Sequence, residues 1–272
     1  MMLAGADYTS APSKRKPITV CHAELDGAEV HILRLEDCLS HEIFEQMLKK
    51  VSLIGIDAPL GQPLAFLEFI YPEVRTREDL ITALGKETMA TWVEKCRAFR
   101  GEKGKRELFR ACDSAATACS PMKCFFIPVG RMFLRAVQSL ENTGFVLAGL
   151  QDGEKKALEI YPTLAVENLT GQRSYKTDDP RKDTEARREV RRQVVNALRS
   201  TEPLRGYGLK VKISEDILAG LAEDSKADRL DAILAAIQTA WAATQPNFGV
   251  SKSVDPREGT IVDFKLSNLT GA

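Results

Sequence analysis

Aspartates close or open apolar runs in three separate parts of this sequence. "LIGID" (53–57) sets bulky apolar residues around Gly55 and ends on Asp57, after which Pro59 and Gly61 turn the chain away. "MLAGAD" ends on Asp7, and the apolar run "DRLDAILAAIQTAW" opens with Asp228 and Asp231. Ligands of α/β sheets bind at the C-terminal ends of strands, so aspartates at strand tips are candidates for a site. An aspartate before a turn also forms turns, because its side chain accepts backbone hydrogen bonds. Convergence of several acids separates the two possibilities. Like charges brought together repel unless a cation bridges them. Hard oxygen donors with no His or Cys beside them favour Mg²⁺ or Mn²⁺ over zinc. A pair of such ions activates a water and stabilises the leaving oxygen of a phosphodiester.

The elements that must carry these acids can be read from pattern. Residues 2–7 predict a short strand ending at Asp7. Residues 18–25 and 30–35 alternate apolar and polar types about Asp26-Gly27, a hairpin signal. Residues 40–50 predict an amphipathic helix opened by Ser40, and 52–57 a strand buried on both faces. Leu230, Ile233, Leu234, Ile237 and Trp241 recur at helical spacing and form one buried stripe over 226–244. Asp231 borders that stripe, and a carboxylate there needs a partner. Asp228 lies one turn back, and its plainer role is a cap partner for Ser225.

The expected fold class is α/β, a mixed sheet in the order 3-2-1-4-5 flanked by helices, with a helical insertion after strand 4. In that order strands 1 and 4 are neighbours, which brings Asp7 and Asp57 together. The core is expected over 1–63 and 144–272, and the helical insertion over 64–143. Strands return at 145–150 and 157–161, and 181–200 predicts a charged helix.

"LAGADYTSAPSKRKPITV", "IGIDAPLG", "RACD", "EIYPTLA", "YK" and "DRLDAILAAIQTAW", in this order, resemble the DUF429 family, described as predicted nucleases with a ribonuclease H-like fold. The resemblance runs from Leu3 to about Ile261. The D-x-x-D pair also resembles Holliday-junction resolvases of the same fold. The resemblance implies an acidic cluster of Asp7, Asp57 and Asp231, with Asp228 or Glu159 as a fourth member. Ribonuclease H enzymes instead carry a glutamate in the helix after strand 3; Glu42 and Glu45 lie there, on a face expected to be solvated. The same resemblance makes Arg110 a candidate to reach a substrate phosphate and Lys176 a candidate clamp for a phosphate or a carboxylate. Without it, Arg110 and Asp113 read as a local helical ion pair. Lys16, in "SKRK", follows Asp7 on a loop where a basic turn could meet a polyanion. Arg187, Arg188, Arg191 and Arg192 read as a solvated helix surface partly neutralised by Glu185 and Glu189. His22, His31 and His41 share no metal spacing and receive no role.

Thirty-eight basic residues balance thirty-eight acidic ones, so any nucleic-acid contact must come from a local patch. No apolar run reaches the roughly 18 residues of a membrane span. No signal-peptide pattern opens the sequence, and the six cysteines form no CxxC pair, so a cytoplasmic protein with reduced thiols is expected. The leading expectation is a phosphodiesterase that uses Mg²⁺ or Mn²⁺ on nucleic acid or a small phosphate ester. Two alternatives stand beside it. One is a non-catalytic ribonuclease H-like binding module. The other is an ATP-dependent phosphotransferase of the actin or sugar-kinase type, which needs a second copy of the core and a Gly-rich adenosine loop.

Overall fold

Two hairpin connections and a run of crossovers build one seven-stranded sheet. The computed structural model describes residues 1–102 and 107–270. Strands β1 (Met2–Asp7) and β3 (Glu29–Cys38) both run antiparallel to β2 (Ile18–Asp26), which turns into β3 at Gly27, whose φ of 56° suits glycine. Helix α1 (His41–Leu48), capped by Ser40, crosses to β4 (Leu53–Asp57), which lies parallel to β1. Five helices follow: α2 (Leu64–Ile70), α3 (Arg77–Leu84), α4 (Met89–Glu102), α5 (Ala111–Ala116) and α6 (Val129–Asn142). Then come β5 (Phe145–Leu147), β6 (Lys155–Glu159), α7 (Pro162–Thr170), α8 (Glu185–Arg199), β7 (Lys210–Lys212), α9 (Glu215–Leu218) and α10 (Asp228–Thr244).

The strand order is β5-β6-β4-β1-β2-β3-β7. Pairs β1/β4, β4/β6, β5/β6 and β3/β7 are parallel, so the sheet is mixed and mostly parallel. Strands 1 and 4 are neighbours, as expected. The second segment expected as a strand covers Lys155–Glu159 rather than 157–161, because Tyr161 is already the N-cap of the helix that Pro162 opens. β7 at the far edge has only three residues and no apolar run to announce it.

Each face of the sheet has its own core. Leu3, Leu53, Leu158 and Ile160 pack with apolar residues of α7, α8 and α10. Ala4, Ala6, Ile54, Ile56 and Ala157 pack on the other side with α1 and with Phe66, Trp92 and Phe133 of the inserted helices. The stretch 64–143 is thus helical, with no strand among its described residues, and 103–106 lie outside them. It shares the sheet's second core instead of closing one of its own. Among the described residues, no helix is long and apolar enough to cross a membrane.

Glycines on the first face decide how α10 sits. Gly5 and Gly55 are direct partners across β1 and β4. A methyl on Gly5 would lie 2.0 Å from the backbone nitrogen of Ala236, and one on Gly55 2.0 Å from Thr239 Oγ1. Ala232, Ala235, Ala236 and Ala240 of α10 are fully buried, so helix backbone lies against strand backbone. Gly5→Ala must push a helix rather than a flexible side chain. Overpacking of this kind costs about 1–3 kcal/mol, or roughly 2–12 °C of melting midpoint at about 2–4 °C per kcal/mol. Thermal melts should show that loss for Gly5→Ala and almost none for Gly101→Ala, where an added methyl meets nothing within 4 Å. Equal midpoints would mean that α10 does not pack this closely.

Candidate functional site

The same alternation that turns Gly5 and Gly55 toward α10 turns Asp7 and Asp57 that way, two residues on. Asp7 and Asp57 are themselves register partners at the C-terminal ends of parallel strands. α10 begins with Asp228 in the left-handed wake of Ala227 (φ 60°), an uncommon conformation for a residue with a side chain. Its first turn carries Asp231, fully buried, toward the two strand tips. Carboxylate oxygens of Asp7, Asp57 and Asp231 lie within 4.8 Å of one another. Asp7 is 5% exposed, and its Oδ2 is buried without a hydrogen-bond partner.

Two lysines face these acids. Lys176 Nζ donates to Asp231 Oδ2, and Tyr175 Oη donates to Asp231 Oδ1 at 2.7 Å. Lys16 Nζ donates to Asp228 Oδ1 at 2.8 Å and to the exposed Asp178 at 3.3 Å. Both lysines expected to meet substrate are therefore paired with the acids. Asp228 is a lysine partner and not a cap: Ala227 is the N-cap, and no side chain caps the helix. Among the described residues, no backbone N–H donates to the Asp57 carboxylate, so it does not act there as an Asx turn-former.

Burial pushes the Asp57 carboxyl up to about 7; Asp231 adds to that rise and Lys176 opposes it. Asp7 stands well above the ordinary aspartate value for the same reason, with Lys176 opposing burial and Asp231 and Asp228 reinforcing it. Asp231 is raised by burial too, against the pull of Lys176 and Tyr175. Burial works against the Lys176 charge, but Asp231, Tyr175, Asp57 and Asp7 outweigh it and hold that ammonium well above its usual value. The cluster is short of positive charge even with its lysines.

Glu159 and Arg110 are placed elsewhere. Glu159 lies on β6 opposite Ile56, out of phase with Leu158 and Ile160, which face α10. It points to the inserted helices, so it does not join the three aspartates. Arg110 is 1% exposed and spends its guanidinium on Asp113 (2.7 and 2.9 Å), on both oxygens of Glu159 and on the Glu258 carbonyl (3.1 Å). Asp113 is the local partner anticipated for it, and no part of the guanidinium is left for a phosphate. Glu159 in turn accepts the Leu60 N–H at 2.8 Å, three residues beyond Asp57. This network holds the loop that follows the site strand. Glu42 and Glu45 line a separate cavity of about 390 Å³ with Arg135, Gln138 and Asn142.

Arg191 departs from its expected place on a solvated surface. It is fully buried, held by Asp183 at 2.8 and 3.0 Å, and it donates to the Tyr175 carbonyl at 2.7 Å. Spacing carried the signal: Arg191 stands at i−3, i−4 and i−7 from Val194, Val195 and Leu198, the buried face of α8.

A model of the family DUF429, described as protein of unknown function, matches residues 5–254. The chain belongs to DUF429. The matched span of this DUF429 chain includes all four aspartates, both lysines, and Arg110 with its carboxylate partners Asp113 and Glu159. No curated protein and no solved structure matches it.

Proposed function

We propose that this DUF429 protein is a phosphodiester hydrolase dependent on Mg²⁺ or Mn²⁺, with a ribonuclease H-like sheet and Asp7, Asp57 and Asp231 as cation ligands. One observation carries the proposal: three carboxylates converge at the tips of two parallel strands, with a buried oxygen of Asp7 left without a partner. Buried polar groups are ordinarily paired, so an orphaned carboxylate oxygen in a cluster of acids suits a hard cation. All donors in the cluster are oxygens, and no His or Cys belongs to it. The antiparallel β1-β2-β3 run beside parallel β4 and β6 supports the ribonuclease H-like assignment.

A bound divalent ion would supply Lewis acidity toward a phosphoryl oxygen and a water. The chain's own groups orient the site. Tyr175 and Lys176 fix both oxygens of Asp231, and the Leu60 bond to Glu159 fixes the turn after Asp57. Lys176 keeps 39% of its side chain exposed and can meet a phosphate while touching Asp231. The substrate class is nucleic acid or a small phosphate ester.

A second proposal has one observation behind it. Lys16 and Lys176 already pair with Asp228 and Asp231, as the acids of a non-catalytic binding module would be. A phosphotransferase of the actin type has less support, since the described residues contain one such sheet where that reaction needs two.

Hydrolysis assays separate these possibilities. Wild type, with Mn²⁺, with Mg²⁺ and with EDTA, is offered single- and double-stranded DNA, RNA and a chromogenic phosphodiester. Turnover with either metal and none in EDTA is expected. Turnover that persists in EDTA, or none on any substrate with either metal, would overturn the hydrolase.

A further inference from the structure

We propose that Lys176 is the fixed second positive centre of this site, so that the carboxylates take one divalent cation rather than two. The inference rests on the metal-dependent function proposed above and concerns how many ions that site holds.

Charge balance comes first. Asp7, Asp57 and Asp231 converge at the strand tips with Asp228 at the start of α10, and the ammonium groups of Lys16 and Lys176 bond directly to two of these four, the other Lys16 contact, Asp178, being exposed to solvent. With all four ionised, two negative charges remain, which one divalent ion neutralises. A second ion would leave the same excess with the opposite sign, in a place where burial already penalises charge.

Attachment of the lysine comes second. A lysine that merely filled an empty cation site would sit on a segment free to withdraw. Lys176 does not. Before it, the Tyr175 carbonyl accepts from the fully buried Arg191 at 2.7 Å, and Arg191 is held by Asp183 and by the Ala222 carbonyl. After it, the Thr177 N–H donates to the Ser225 carbonyl at 2.8 Å, on the approach to α10. The Tyr175 ring is buried too, with its hydroxyl on the other oxygen of Asp231. Both neighbours of Lys176 are thus fixed to the framework that presents Asp231.

Position comes third. Lys176 engages Asp231 Oδ2, whereas the unpartnered oxygen of the cluster belongs to Asp7. The ammonium and the unpartnered carboxylate oxygen therefore belong to different aspartates. A cation held by Asp7 and Asp57 would leave the Asp231–Lys176 bond in place. A lysine so placed brings positive charge to a phosphate without needing a second metal to be loaded.

Mn²⁺ binding, counted by electron paramagnetic resonance of free ion and by calorimetry, tests this without any turnover. Wild type should take one Mn²⁺ per chain. Lys176→Met should take two, and Lys176→Arg, which keeps the charge, should return to one. Two ions in wild type overturn the inference and leave the metal site standing. One ion in Lys176→Met, at the same or higher affinity, also overturns it, since the lysine would then be a bystander or a placeholder that the metal evicts. No Mn²⁺ bound to wild type sinks the metal site itself, and the inference with it. Should Lys176→Met melt far below wild type, the wild-type stoichiometry still decides.

Discussion

Asp57→Asn should make the protein insensitive to Mn²⁺ and, in EDTA, more stable than wild type. Metal that binds only the folded chain stabilises it by mass action, about 2.7 kcal/mol at a hundredfold excess over Kd. Wild type should therefore melt several degrees higher in saturating Mn²⁺ than in EDTA, and Asp57→Asn should melt at one temperature in both. The gain in EDTA has a separate cause. Asp57 is half-buried beside the buried Asp231 and Asp7, and its carboxyl is raised to about 7 against an ordinary value of 3.8. Between these values the unfolded chain has released the proton that the folded chain still holds. Metal-free wild type must then lose stability as pH rises from about 4 to 7. The amide carries no charge to desolvate, so Asp57→Asn should show a shallower decline over the same window. Mn²⁺ competes with that proton, so wild-type affinity for Mn²⁺ should rise across the same interval. If Asp57 only formed a turn, asparagine would serve as well. Superimposable melts of the two proteins, in both buffers and at pH 5 and 7.5, would return Asp57 to that role.

The acids are legible in the sequence because strand tips follow from local pattern. Apolar runs ending on Asp7 and Asp57 announce both the strand and its end, and the neighbouring of strands 1 and 4 brings the two together. The signal for α10 lies in the same place, since "GAD" and "GID" each set a glycine two residues before the acid. Those glycines let the helix backbone approach, and parity then puts glycine and aspartate on one face. Partners far apart in sequence are not legible. Glu159 looks like a site residue because a carboxylate in an apolar strand requires an explanation, and the site supplies one. Only the phase of β6 against β4 shows that it faces away from the aspartates, and register across a crossover is not written in either strand. Lys176 is recognisable as a clamp from the family resemblance, but its partner Asp231 lies 55 residues away. Arg191 misleads for a simpler reason: four arginines close together suggest a wet surface, and the buried stripe of α8 passes through one of them.

Arg110→Met should destabilise the protein more than Gly5→Ala does. The Arg110 guanidinium is the only cation bonded to Glu159 among the described residues, and it also holds Asp113 and the Glu258 carbonyl. Methionine fills similar volume and leaves two carboxylates buried at 1% and 5% exposure without that cation. Removing one partner of a buried ion pair costs about 3–5 kcal/mol, because the other charge is left desolvated. Burial already raises Glu159, with Arg110 holding it down, so without Arg110 its carboxyl should rise further and proton uptake should recover part of the loss. At about 2–4 °C per kcal/mol, the midpoint should fall by on the order of 10 °C. Glu159→Gln placed on Arg110→Met should restore several of those degrees, since the amide has no charge to bury and can still accept the Leu60 N–H. An arginine that reached out to a phosphate would behave in the opposite way. Its loss would leave the midpoint within about a degree, as surface changes do, and would weaken substrate binding alone. Because Leu60 hangs on this network three residues past Asp57, the destabilised variant should also bind Mn²⁺ more weakly while still folded. Arg110→Met that melts with wild type would show the guanidinium to be available for substrate after all.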